Sequence, residues 1–167
     1  MTDIPFDPER DLLVTRDVDV PAPLLWRCWT EPELLKRWFA PAPWTTPVAD
    51  IDPRPGGRFN IVMQGPDGGA SSVKGCVLVA ETPYRLITTE LLTEGWRPAD
   101  TEKERPFALT TVITFEPLER GMTRYTARAL HGNVADRQAH EKMGFHTGWG
   151  ICADQLIALA RTLPRAE

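Results

Sequence analysis

All three histidines of this 167-residue chain, His131, His140 and His146, fall in one short stretch together with Asp136 and Glu141. Imidazoles among carboxylates do two kinds of chemistry, metal ligation and proton transfer. Ligation is disfavoured. On a continuous helix the step from His140 to His146 leaves the two rings about 120° apart, and H-E-x-x-x-x-H lacks the i, i+4 spacing that sets two imidazoles on one face. No metal is expected. The second reading places His131 at the end of a strand and His140 or His146 at a helix entrance, forming a polar mouth that donates hydrogen bonds or exchanges a proton. Capping or surface histidines are the plainer alternative.

Nucleophilic chemistry finds little support. Cys28, Cys76 and Cys152 stand in apolar settings without a charged activator, and no G-x-S-x-G, G-x-G-x-x-G or G-K-[ST] pattern is present. The run Gly65 to Gly69 reads as a hairpin turn. Asp50 and Asp52 share a strand face before a proline turn and read as solvated. No catalytic residue and no cofactor are therefore expected, and an enzyme ranks below a binding protein.

The elements that must hold these residues can be read from periodicity. In DLLVTRDVDV, Leu12, Val14, Val18 and Val20 alternate onto one face, a half-buried strand with Arg16 on the apolar side. A guanidinium there either anchors a ligand carboxylate or pairs with a neighbouring strand's carboxylate. The segment PAPLLWRCWTEPELLKRWFAP predicts two short helices, the second with Thr30 as N-cap and Pro32 in its first turn. Most of the 16 prolines and 12 glycines then punctuate a meander of strands: TTPVADIDPR, RFNIVMQ, SSVKGCVLVAE, RLITTELL, PFALTTVITFEPL and MTRYTARAL. A loop of mixed charge is expected from Thr93 to Arg105. Finally Phe145, Trp149, Cys152, Leu156, Leu159 and Leu163 form one stripe on a long helix, with Asp154, Gln155, Ala158 and Arg161 on its other side. The order predicts an α+β fold in which a curved antiparallel sheet wraps around the last helix.

Gly144, Gly148 and Gly150 fall in or just before that helix, where glycine is unfavourable by up to about 1 kcal/mol relative to alanine. Either missing side chains leave space for a ligand, or they allow close helix packing or a kink.

Composition narrows the partners. With 19 basic and 23 acidic side chains the formal charge is −4, which disfavours nucleic acid and anionic membrane surfaces. No stretch approaches 18 apolar residues, and the acidic N-terminus lacks the pattern of a secretory signal. Three scattered cysteines read as reduced thiols, so the cytoplasm is the expected location. Residues 1–9 are expected to be a flexible lead-in, 10–163 one domain, and 164–167 a tail.

The order of elements is joined by motifs: WTEPELLKRWFAP, with Trp29, Thr30, Pro32, Glu33, Leu35, Trp38 and Pro41; the turn Pro55-Gly56-Gly57; and Gly148-Trp149 in the late helix. Together they resemble the START-like, helix-grip superfamily (SRPBCC), in the branch similar to the activator of Hsp90 ATPase, over about residues 10–163. The resemblance implies a sheet of about seven strands gripping the C-terminal helix, two short helices after the first strand, and a cavity that in relatives holds apolar molecules. It implies that Trp38, Phe39, Trp44 and Phe59 lie at one end of the cavity, and Arg16, His131, Phe145, Gly148, Trp149 and Cys152 complete the candidate cavity residues. The function so implied is binding of a small apolar or amphipathic ligand. The alternatives are a module that engages an Hsp90-type chaperone, and a cyclase, dehydratase or hydrolase using polar groups of the same cavity. The sequence leaves the oligomeric state open, a homodimer included.

Overall fold

The computed structural model describes residues 3–100 and 106–165. Parts of the lead-in, of the mixed-charge loop and of the tail thus lie outside the described residues. Strand β1 (Asp11–Val18) is followed by helices α1 (Ala22–Thr30) and α2 (Pro32–Leu35). Strands β2 (Thr45–Ile51), β3 (Arg58–Gln64), β4 (Ala70–Glu81) and β5 (Arg85–Thr89) come next. A two-residue-strand hairpin, β6 (Leu92–Thr93) and β7 (Arg97–Pro98), precedes β8 (Leu109–Pro117) and β9 (Thr123–His131). Helices α3 (Val134–Lys142) and α4 (Phe145–Thr162) close the chain.

The main sheet has seven antiparallel strands in the order β1-β9-β8-β5-β4-β3-β2, curved around α4 as in the helix-grip fold. Alternation sets its inner face. On β9, Thr123, Tyr125, Ala127, Ala129 and His131 are buried while the residues between them are more exposed. The register carries that face across, placing Leu12 opposite Ala129, Val14 opposite Ala127, and Ile113 opposite Ala127 on the other side. Leu156, Leu159 and Ala160 of α4 complete the core with Leu25 of α1.

Several local expectations need correction. Thr30 is the last residue of α1, where its hydroxyl donates to Trp26 O at 2.8 Å; Glu31 takes the N-cap position of α2. The stretch before α4 is a separate helix, α3, capped by Asn133, whose side chain accepts from Asp136 N at 2.8 Å. Gly144 separates the two helices with φ of 100°, a left-handed conformation that glycine adopts without steric cost. The rings of His140 and His146 therefore do not share one helix. Part of the mixed-charge loop forms the β6-β7 hairpin, whose tip holds Trp96 at φ 65°.

The described lead-in residues lie along the sheet. Arg128 donates to Ile4 O at 2.7 Å and to Pro5 O at 2.5 Å, sits over the Phe6 ring, and pairs with the buried Asp11 at 2.6 Å.

Candidate functional site

Between the first half of α4 and the inner sheet face lies a cavity of about 380 Å³. The helix contributes Phe145, Gly148, Trp149 and Cys152, spaced so that all four share one face. The opposite wall comes from alternate strand residues: Phe59 and Met63 on β3, Val73 and Gly75 on β4, Thr88 on β5, Thr111 on β8 and Tyr125 on β9. Trp29 of α1 and Trp38, Phe39 and Trp44 of the loop after α2 close one end.

That aromatic end is fixed by geometry rather than by bulk alone. Trp29 meets Trp38 edge-on at 4.8 Å and stacks on Phe59 at 6.4 Å. Trp38 Nε1 donates to Cys28 O at 2.9 Å, so the indole cannot turn. Gln155, expected on the outer side of α4, instead ties the helix to this loop, donating to Trp38 O at 2.9 Å and Ala40 O at 2.8 Å and accepting from Ala42 N at 3.0 Å. The Cys152 thiol donates to Phe39 O at 3.2 Å, and burial pushes its pKa up to about 12. The thiol is thus protonated and a poor nucleophile at neutral pH. Cys28, pushed up to about 11 by burial, is equally inert.

A family model described as "Activator of Hsp90 ATPase homolog 1-like protein" matches residues 19–161. The chain belongs to this family. A crystal structure of a protein from Nitrosomonas europaea, 45% identical, superposes with a TM-score of 0.86 over 93% of this chain and 97% of that one. A protein from Mycobacterium smegmatis, 25% identical, gives 0.75 over 98% and 99%. A third, from Rhodobacter sphaeroides at 22% identity and a TM-score of 0.79, covers 98% of this chain and all of that one and shows the shared fold. No curated protein matches the chain.

In this Aha1-like domain, eight of the ten candidate cavity residues border it: Trp38, Phe39, Trp44, Phe59, Phe145, Gly148, Trp149 and Cys152. Arg16 and His131 do not. Arg16 does share the inner-face register of Tyr125, but β1 is the edge strand, so the side chain runs out past the helix flank. There it lies 3.8 Å from Asp154 and beside Gly150, half in solvent. Its carboxylate partner is on the helix, not on a neighbouring strand.

His131 stands one layer behind the wall. Its Nδ1 is 2.9 Å from Arg10 O, and a carbonyl only accepts, so that nitrogen carries a proton. The other nitrogen of His131, Nε2, lies 2.9 Å from His140 Nδ1. His140 is the member of the pair that borders the cavity, with Phe107 4.9 Å away. His146 is exposed and 3.3 Å from Glu141. Among the described residues no cluster of three His, Cys, Asp or Glu side chains has the geometry to hold a metal.

The three glycines serve different ends. A Cβ on Gly148 would meet nothing within 4 Å, so its missing side chain is cavity space. Gly144 is the helix break, and Gly150 faces Arg16. Trp29, Thr88, Thr111 and Tyr125 were not foreseen as wall residues. Their signal was strand alternation, which shows a shared face but not which part of that face stays uncovered.

Proposed function

We propose that this Aha1-like domain binds a small apolar or amphipathic molecule between α4 and the sheet. The observation that carries the reading is the open space under Gly148, inside an aromatic cavity whose volume falls within the roughly 300–1,000 Å³ of ligand sites. Aromatic walls supply large contact area with little rotamer entropy to lose. Its three free cysteines support a place in the cytoplasm, and no helix among the described residues is long and apolar enough to cross a membrane.

Two measurements test the reading. Native mass spectrometry of the purified protein should reveal a co-purifying small molecule. The uncharged fluorophore N-phenyl-1-naphthylamine should brighten on addition of wild-type protein and not on addition of Gly148→Leu. Equal brightening with both would sink the idea.

The family description favours a second reading, an interaction module for an Hsp90-type chaperone. It predicts faster ATP hydrolysis by the host chaperone at micromolar domain concentration; an unchanged rate removes it.

A further inference from the structure

The inner end of the cavity holds two polar groups that ligand binding in general leaves unassigned. Tyr125 projects from the middle of β9, only 2% exposed, and stacks on Phe115 at 6.0 Å. Among the described residues no acceptor takes its hydroxyl proton. Trp29, 4% exposed, borders the same cavity, and its buried indole Nε1 makes no hydrogen bond among the described residues.

An indole N–H only donates, whereas a phenol accepts and donates. The Tyr125 proton is thus left for a group from outside the wall, and buried donors are rarely left unmet. Burial also raises the Tyr125 pKa well above the phenol range, so the group remains a donor throughout the physiological range. Charge decides what that group is. Among the described wall residues there is no lysine or arginine, so a ligand carboxylate would be desolvated with no cation among them to pair with it.

We propose that Tyr125 is the hydrogen-bond anchor of the cavity, and that the ligand is an uncharged apolar molecule presenting a carbonyl oxygen to it. This rests on the binding function proposed above.

Three probes on one two-ring skeleton test it by titration calorimetry: benzophenone, with a carbonyl; diphenylmethane, without one; and diphenylacetate, an anion. Wild-type protein should bind benzophenone tightest, with diphenylacetate at least about tenfold weaker. Tyr125→Phe keeps the ring and removes the donor. It should weaken benzophenone by about fivefold to tenfold while diphenylmethane changes by less than about twofold. The diphenylmethane arm reports that the cavity is intact.

If diphenylmethane binds and Tyr125→Phe leaves benzophenone affinity intact, or if diphenylacetate matches benzophenone, the anchor is wrong and the binding function stands. If no probe binds wild-type protein, both fall. Should Tyr125→Phe not fold, the wild-type order decides: benzophenone no tighter than diphenylmethane overturns the anchor.

Discussion

The two halves of α4 share one apolar stripe and one sheet, yet they do opposite things. From Ala153 onward, Leu156, Ile157, Leu159 and Ala160 are buried in one apolar core with Leu12, Val14, Ala127 and Ala129. From Phe145 to Cys152 the same helix borders open space. The difference lies in which side chains can reach across. In the second half, branched aliphatics meet small alanines and interdigitate. In the first half Gly148 offers nothing, Thr88 and Thr111 are short, and the large rings of Trp29, Trp38, Phe39 and Phe59 are held against one another rather than against the helix. A void in a protein of this size is thus produced by rigid neighbours that cannot collapse into it.

That contrast can be broken from either side. The largest effect belongs to the solid half: Leu156→Ala should lower unfolding free energy by about 2–5 kcal/mol, read by urea titration. A loss below about 1 kcal/mol would mean that this half is also loosely packed. Gly148→Leu acts in the opposite sense. It fills the cavity with a side chain that favours helix, so stability should hold or rise by up to about 1 kcal/mol while N-phenyl-1-naphthylamine binding falls more than about tenfold. Stability falling together with binding would show that the space is needed by the fold.

Alkaline pH probes how dry both regions are. Burial raises the thiol pKa of Cys28 to about 11 and of Cys152 to about 12 from an ordinary 9.0, and raises that of the Tyr125 hydroxyl as well. Above pH 9 the unfolded chain loses these protons before the folded one does. The folded state then binds more protons, so stability declines as pH rises from about 9 through the folded values, by at most about 1.4 kcal/mol per pH unit for each group. Alkylation of Cys152 by iodoacetamide at pH 10, read by peptide mass spectrometry, should stay slow in the folded protein; rapid modification would mean that water fills the cavity around Cys152. The smallest effect is Cys152→Ala, which removes a side chain already bordering space and should cost less than about 1 kcal/mol in the same urea titration.

The α+β order was legible because its punctuation is local: Gly56-Gly57, Gly65 to Gly69 and the prolines at strand ends each stop one strand before the next begins. The stripe of α4 was legible for the same reason. Helix α3 was missed because it is short and polar, although Asn133 with Asp136 three residues later carries an N-cap signal. Arg16 was assigned to the right face but the wrong surroundings. Periodicity gives the side of a strand, whereas its rank in the sheet depends on a pairing with β9 near the other end of the chain. The His131–His140 contact and the donor left open at Tyr125 depend on atoms meeting across elements, beyond the reach of any spacing rule.

That pairing bears on how the protein is made. Thr15 bonds to Tyr125 O across 110 residues of sequence, and α4 follows β9. A ribosome releases β1 some 110 residues before its partner β9, so the inner face of the sheet is left without its helix until α4 has followed. The cavity is therefore assembled in one late event. Until α4 docks, the aromatic residues destined for its wall are exposed apolar surface, and any apolar molecule present at that moment meets an open site rather than a closed one.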